Sequence, residues 1–213
     1  MEYFRRTVLW AASFMIGLLL SVSIQYEGVE KAQSILSETN LNEVLAKRLD
    51  YFPKDKVPEL AKHLIELCRI HRFDPVFLLS LIEVESRFRI DAVSHMGAIG
   101  LMQMRLATAQ DVLRSIGYRL SGYEDTESRQ LLRMKLTEKS LMNPFVNTMI
   151  GMSYLSWLRD HYRGKPAYYF LAAYNMGPGR VDELLSQKGS VIRPCSYYES
   201  IRNNISIMRM RLL

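Results

Sequence analysis

Histidine and cysteine are scarce in this chain of 213 residues, which has four of the first and two of the second. The histidines lack metal-ligand spacing such as H-x-x-x-H with an acid, and no C-x-x-C motif occurs. We therefore expect no metal site, and no motif implies an organic cofactor.

Strand-like alternation, internal repeats and low-complexity tracts are also nearly absent. Helical patterns cover most of the chain, and two of them begin with an N-cap followed by proline, Asp74-Pro75 and Asn143-Pro144. Further helices are predicted over Pro58–Ile70, from Pro166 onward, over Val181–Gln187 and over Tyr197–Leu212. The sequence therefore predicts an all-α fold with a long loop from Ser94 to Gln103.

Positive charge is in mild excess, with 28 Lys and Arg against 22 Asp and Glu and a formal net charge of +6. Such an excess suits nucleic acid, anionic lipid or an acidic polymer as partner. The basic residues are scattered among acids rather than clustered, which is typical of a solvated surface. We therefore expect no nucleic-acid partner.

The N-terminus has the charge pattern of an export segment. Arg5 and Arg6 precede 18 uncharged residues, Thr7–Ile24, which as a helix would just cross a bilayer core of about 30 Å. Ser21–Ser23 has the small-x-small form that a signal peptidase accepts, so a cleaved signal peptide competes with an uncleaved anchor. Both alternatives place the rest of the chain outside the cytoplasm.

This pattern divides the chain into three parts. We predict an anchor or signal peptide over residues 1–24, a polar membrane-proximal linker over residues 25–56 and a folded domain over residues 57–213. Because an exported domain can form disulfides, Cys68 and Cys195 either bridge or remain two separate thiols.

The helix from Pro75 is apolar on nearly all sides, which is typical of a helix buried inside its domain. Two acids lie near its end. Glu83 can reach Arg87 one turn later and form a solvated pair, whereas Glu85 lies over Leu81 on the apolar face. Glu85 is then either a helix-end carboxylate that reaches solvent, or a desolvated acid whose raised pKa suits it to protonate a leaving oxygen.

Two loop segments accompany this acid. The segment SHMGAIGLMQM places Gly97 and Gly100 three apart, where the chain can take left-handed turns and let backbone donors approach a ligand. The segment AAYNMGPGRV places Tyr174 and Asn175 at a helix end before a turn. An ordinary connection also uses glycine, but the three segments together indicate a site.

These segments resemble the soluble lytic transglycosylase family, whose members are related to goose-type lysozyme. The matching pieces are Glu85-Ser86, Ser94 with Gly97-Ala98 and Gly100–Gln103, Asn143-Pro144 with Asn147, Gly151 and Tyr154-Leu155, and Ala173–Asn175 with Gly177–Gly179. Their order also matches, over residues 56–205. The resemblance implies a lysozyme-like, goose-type helical domain.

The resemblance also implies a reaction, cleavage of the peptidoglycan glycan strand between N-acetylmuramic acid and N-acetylglucosamine. In the family, the residue that matches Glu85 protonates the glycosidic oxygen as general acid. It then acts as base on the muramoyl 6-hydroxyl, which attacks the anomeric carbon and closes a 1,6-anhydro ring. One carboxylate suffices for this route, whereas glycoside hydrolysis usually needs two.

The same resemblance implies a set of substrate-binding residues. Those expected in the glycan cleft are Ser94, Gly100, Met102, Gln103, Tyr174, Asn175 and Tyr197. Met102 can equally belong to the core, and Tyr198 competes with Tyr197 for the position of a cleft tyrosine of the family. Ser86 is either a cleft contact or a helix-end hydroxyl.

Three features depart from the family pattern. Arg105 and Leu106 stand where the family usually has a proline before Ala-Thr-Ala, and Met176 is bulkier than the common Ala. The chain between Gln110 and Asn143 is longer than in the family and predicts an added amphipathic helix that walls the cleft or binds a partner.

Two other functions remain open at this point. A muramidase would use water positioned by an acid such as Asp91, for which a turn or capping role is the simpler interpretation. A catalytically silent peptidoglycan-binding scaffold would locate an envelope complex. Each alternative places the chain in the cell envelope, anchored on the periplasmic side of the inner membrane or exported, for wall turnover or beside a secretion complex.

Overall fold

A computed structural model describes residues 38–116, 136–187 and 192–212. These residues are mostly helical, which confirms the all-α prediction. The predicted anchor over residues 1–24 and most of the added segment after Gln110 lie outside the described residues. Within the described ranges, no helix is both long and apolar enough to cross a membrane.

Nine α-helices and one small hairpin make up the described part of the chain. The helices are α1 (Glu38–Arg48), α2 (Val57–His71), α3 (Pro75–Ser86), α4 (Leu106–Ile116), α5 (Glu138–Leu141), α6 (Pro144–His161), α7 (Ala167–Met176), α8 (Pro178–Ser186) and α9 (Ser196–Leu212). A 3₁₀ turn, Lys54–Lys56, precedes α2. The hairpin pairs β1 (Ala98–Ile99) with β2 (Met104–Arg105) in antiparallel register, inside and just after the predicted loop.

The two predicted N-caps begin α3 and α6. The side chain of Asp74 accepts the backbone N–H of Val76 at 2.8 Å, and that of Asn143 accepts the N–H of Phe145 at 2.9 Å. A proline follows each cap at the first helical position, where its missing N–H costs nothing. The short polar side chain therefore decides where each helix begins.

Helix α3 runs through the centre of the domain, packed along α9 and against α2. Its apolar side chains are almost fully buried, Leu81 and Ile82 among them. It ends at Ser86 because Arg87 and Phe88 adopt left-handed backbone angles, φ 54° and 63°. The end of a buried helix thus emerges at the surface with Glu85 in its last turn.

Helix α1 lies within residues 25–56, the segment predicted to be a linker. Its residue Leu45 and the following Leu49 are fully buried against the domain, and the helix packs on α2. Arg48 forms an ion pair with Glu83 of α3, so the predicted pair of Glu83 with Arg87 is wrong. The left-handed turn at Arg87 takes that side chain out of helical register. Residues 38–56 of the predicted linker therefore belong to the folded domain.

Asn147 on α6 holds the loop that follows α3. Its side-chain amide donates to the carbonyls of Ile99 and Leu141 at 2.8 and 2.9 Å and accepts the N–H of Met102 at 2.7 Å. A Cβ on Gly100, which has φ +77°, would lie 2.4 Å from the amide nitrogen of Asn147. Only glycine fits this left-handed position against the buried amide.

Both cysteines are free thiols, so the structure adopts the unbridged alternative. Cys68 is buried in α2, and Cys195 directly precedes α9. Burial raises the pKa of the Cys68 thiol well above its ordinary value, which leaves the thiol protonated and chemically inert.

Candidate active site

A cavity of about 480 Å³ opens where the end of α3, the hairpin, α4, α6 and α7 meet. Five of the predicted site residues line it: Glu85, Ser94, Gln103, Tyr174 and Asn175. Three methionines, Met96, Met104 and Met176, give it a partly apolar wall. The cavity therefore combines one carboxyl group with hydroxyl and amide groups and an apolar surface, which suits a saccharide.

Glu85 projects from the last turn of α3 into this cavity and is partly buried. The hydroxyl of Tyr197, on α9, donates a hydrogen bond to its carboxylate. Burial raises the pKa of Glu85 from 4.5 to about 7, against the hydrogen bond from Tyr197, which lowers it. A carboxyl with this pKa can both give and take a proton near neutral pH.

Tyr174 joins α7 to the loop below the cavity. Its hydroxyl donates to the carbonyl of Met102 at 2.7 Å, and its ring lies 5.6 Å from that of Tyr154 on α6. Burial, with the nearby charge of Glu85, raises the pKa of Tyr174 well above 10. Tyr174 is thus a neutral side chain of the cavity wall, held in place by its hydrogen bond to Met102.

Gln103 and Ser94 present polar atoms that the loop itself orients. The amide nitrogen of Gln103 donates to the carbonyls of Ala92 and Gly100 at 3.1 and 3.0 Å. The hydroxyl of Ser94 accepts the N–H of Ala98 at 3.0 Å. These bonds fix both side chains before any ligand arrives, which lowers the entropy cost of binding.

Residues 65–193, more than half of the chain, match the family model described as the transglycosylase SLT domain. The chain belongs to this family. The match includes Glu85 and the whole loop, but it ends before Tyr197 and begins after α1.

Curated relatives of the SLT-domain chain are named lytic murein transglycosylases. It is 34% identical over 115 residues to the membrane-bound lytic murein transglycosylase C of Histophilus somni, covering 51% of this chain and 28% of that protein. It is 29% identical over 125 residues to the soluble lytic murein transglycosylase of Escherichia coli, covering 59% of this chain and 17% of that one. The chain thus spans less than a third of the length of these relatives.

Solved structures with a similar arrangement are also lytic transglycosylases. The lytic transglycosylase Slt of Pseudomonas aeruginosa superposes with a TM-score of 0.48 at 23% identity, covering 76% of this chain and 26% of that one. The 70 kDa soluble lytic transglycosylase of Escherichia coli gives a TM-score of 0.45 at 20% identity, covering 75% of this chain and 25% of that one.

Four predicted substrate-binding residues are not among those that line the cavity: Tyr197, whose hydroxyl contacts Glu85, and the three residues Ser86, Gly100 and Met102. Met102 is fully buried, which agrees with the core alternative, and Gly100 is buried against Asn147. Ser86 is 3% exposed, and its hydroxyl donates to the carbonyl of Ile82 at 3.2 Å. These residues shape the loop and the helix end.

Tyr197 and Tyr198 contact different parts of the domain. The hydroxyl of Tyr197 donates a hydrogen bond to the carboxylate of Glu85, whereas the ring of Tyr198 lies edge-on to Tyr168 with centroids 5.9 Å apart. Ile201, one turn after Tyr197 on the same helix, is buried.

Eight lining residues were not predicted as site residues, among them Arg105, Thr108 and Tyr154. Tyr154 was visible in the sequence as part of the Tyr154-Leu155 pair that matches the family, without a role at the site. Burial raises its pKa to about 12, so it stays neutral in the cavity wall. Arg105 was visible only as a departure from the family pattern.

Asp91, the acid considered for a water-using reaction, is exposed and does not line this cavity. Among the residues that the structure describes, Glu85 is the only carboxylate in the cavity wall. The same part of the chain holds no group of three or more metal-ligating side chains.

Proposed function

We propose that this chain is a peptidoglycan lytic transglycosylase in which Glu85 acts first as general acid and then as base. The observation that carries the proposal is Glu85, the one carboxyl that the described residues supply to the cavity wall, which is partly buried, has a pKa raised to about 7 and accepts a hydrogen bond from Tyr197. Membership of the SLT-domain family supports the same reaction class.

In the proposed reaction, protonated Glu85 donates its proton to the oxygen between the muramoyl and glucosaminyl residues. The bond from that oxygen to the muramoyl C1 breaks, and the glucosaminyl residue leaves with its new hydroxyl. The carboxylate of Glu85 then takes the proton of the muramoyl 6-hydroxyl while that oxygen bonds to C1. Glu85 ends protonated, and no water is consumed.

The cavity supports this route over hydrolysis. Hydrolysis by two carboxylates needs a second acid across the glycosidic bond, at about 5–9.5 Å from the first. Within the described ranges, the cavity wall supplies no second acid, and Asp91 lies outside it. An intramolecular hydroxyl needs only one group that gives and then takes a proton.

The cavity also supports a catalyst over a silent scaffold. Met176, bulkier than the usual family residue, lies at the cavity wall with 43% of its surface exposed, and about 480 Å³ remains open beside it. We propose peptidoglycan glycan strands as substrate and the cell envelope as location, with the predicted N-terminal segment as the membrane attachment.

The test is digestion of purified peptidoglycan by the full chain and by a Glu85→Gln variant, followed by mass spectrometry of the released muropeptides. The substituted amide keeps the size and hydrogen-bonding capacity of the side chain and cannot transfer its proton. We expect anhydromuramoyl ends, one water lighter than hydrolytic ends, from the unaltered chain alone.

Hydrolytic reducing ends would instead establish a muramidase. A folded chain that binds peptidoglycan and releases nothing would establish the scaffold. Either result overturns the proposed reaction.

A further inference from the structure

Three exposed arginines line two cavities that Glu85 also lines. Arg105 lines the cavity already described. A second open cavity, of about 510 Å³, lies on another side of Glu85 and is lined by Arg87 and Arg89. Glu85 borders both cavities and is the only acid among the described residues that line them.

These three arginines have no carboxylate partner among the residues that the structure describes. Several other surface arginines pair locally: Arg69 pairs with Glu66, Arg180 with Glu183 and Arg202 with Glu199. Each of those pairs joins residues three apart on one helix. The arginines beside Glu85 lie instead on a left-handed turn and a two-residue strand, where no such neighbour exists.

Hydrogen bonds and a left-handed turn fix the backbone around these arginines. Arg87 caps α3 at φ 54°, and the N–H of Arg89 bonds to the carbonyl of Ser86 at 3.1 Å. Arg105 pairs with Ala98 in the hairpin, directly before α4 begins. Two short, hydrogen-bonded segments therefore hold cationic side chains on two sides of the catalytic carboxyl.

Burial raises the pKa of Glu85 to about 7, and the hydrogen bond from Tyr197 acts in the opposite direction. Near and below neutral pH a large fraction of Glu85 is protonated, so the two cavities then carry net positive charge. Such a surface attracts anions.

We propose that Arg105 on one side of Glu85, and Arg87 with Arg89 on the other, bind carboxylates carried by the substrate. This inference rests on the proposed function and specifies its substrate. The N-acetylglucosaminyl residue of peptidoglycan is neutral, whereas the muramoyl residue carries a lactyl ether. That lactyl group ends in a carboxylate on a peptide-free strand, and it carries the carboxylates of the stem peptide on a substituted strand.

The test measures binding of muramoyl oligosaccharides to the full chain with Glu85→Gln, so that affinity is recorded without turnover. Three ligands are compared: a peptide-bearing tetrasaccharide, its peptide-free form with lactyl carboxylates, and the peptide-free form with those carboxylates converted to methyl amides. Arg105→Gln and the double variant Arg87→Gln/Arg89→Gln are introduced separately. Arg193→Gln, an exposed arginine outside both cavities, is the control.

We expect each arginine variant to weaken binding of a charged ligand about fivefold, the scale of one solvent-exposed charge contact. Binding of the methyl amide form should stay the same, and Arg193→Gln should change nothing. Added salt should reduce the preference for the charged ligands. Loss with the peptide-bearing ligand alone assigns the stem-peptide carboxylates, and loss with the peptide-free charged ligand alone assigns the lactyl carboxylate. Loss with both means that the arginines bind either carboxylate.

Equal loss for charged and neutral ligands, or no loss for any, would overturn the arginine assignment. The digestion experiment separates this from the proposed reaction. A chain that releases anhydromuramoyl ends while its arginine variants bind all ligands alike keeps the reaction and loses the assignment. A chain that binds charged strands through these arginines and releases nothing keeps the assignment and loses the reaction.

Discussion

Glu83 and Glu85 lie two residues apart on α3, and the structure gives them opposite surroundings. Glu83 meets the guanidinium of Arg48, on α1, which also lies over the ring of Phe88 at 5.1 Å. Glu85 faces the cavity and meets the hydroxyl of Tyr197, on α9. Both partners come from segments outside the matched SLT region.

The difference shows that the surroundings, rather than the residue type, decide what a carboxylate can do. The ion pair with Arg48 makes Glu83 a structural contact between α1 and α3. Burial raises the pKa of Glu85 to about 7, against the hydrogen bond from Tyr197, which lowers it. One helix end thus carries a structural acid and a candidate catalytic acid.

The largest expected effect is on the rate of cleavage, when Glu85 and Glu83 are replaced in separate variants. Glu85→Gln should lower the rate of peptidoglycan cleavage by about 10²–10⁴-fold, the usual contribution of a general acid. Glu83→Gln should leave the rate within about threefold, because Glu83 is not part of the cavity wall. Release of soluble muropeptides over time measures both, and similar rate losses in the two variants would contradict the comparison.

The second expected effect concerns the pH dependence. Protonated Glu85 is the acid in the first step, so kcat/KM should fall as pH rises through about 7. The hydrogen bond from Tyr197 lowers that pKa, and Tyr197→Phe removes it. The fall in kcat/KM should therefore shift to higher pH, with a rate loss of about tenfold from poorer positioning of the acid.

Tyr198→Phe is the matched control for this shift. Tyr198 is adjacent in sequence and packs on Tyr168 instead of Glu85. Its variant should keep the original pH profile. A profile that does not move in Tyr197→Phe, or moves equally in both variants, would remove Tyr197 from the site.

The smallest expected effect is on stability. Arg48→Gln breaks the ion pair with Glu83 and the contact with Phe88, and should lower the free energy of unfolding by about 1 kcal/mol. The pH profile of cleavage should not move, since Arg48 does not contribute to the pKa of Glu85. Urea unfolding measures the free energy of unfolding, and kcat/KM against pH measures the profile of cleavage.

Lys47→Gln provides the comparison for Arg48. Lys47 lies on the same helix and reaches Glu43 only at 3.9 Å on an exposed surface. Its loss should leave stability nearly unchanged. An unfolding free energy that falls equally in both variants would mean that the pair with Glu83 contributes nothing specific.

The sequence predicted those features that depend on neighbouring residues. Asp74 and Asn143 mark helix starts because a cap acts on N–H groups two or three residues away. Glu85 could be placed on a buried helix because the apolar pattern around it is local.

Features that depend on distant residues could not be predicted in this way. Glu83 pairs with Arg48, 35 positions earlier in the chain. The local spacing instead favoured Arg87, one helical turn later, as its partner. Met102 turns inward because Asn147, 45 residues later, binds its N–H. The polar composition of residues 38–56 likewise concealed the buried leucines of α1.

The position of α1 in the chain also limits the distance between the domain and a membrane that anchors it. The first described helix begins at Glu38, and 13 residues, 25–37, lie between it and the predicted membrane segment that ends at residue 24. Even when fully extended, a chain of that length spans about 45 Å. In a domain held by an uncleaved segment, α1 would therefore begin within this distance of the bilayer surface.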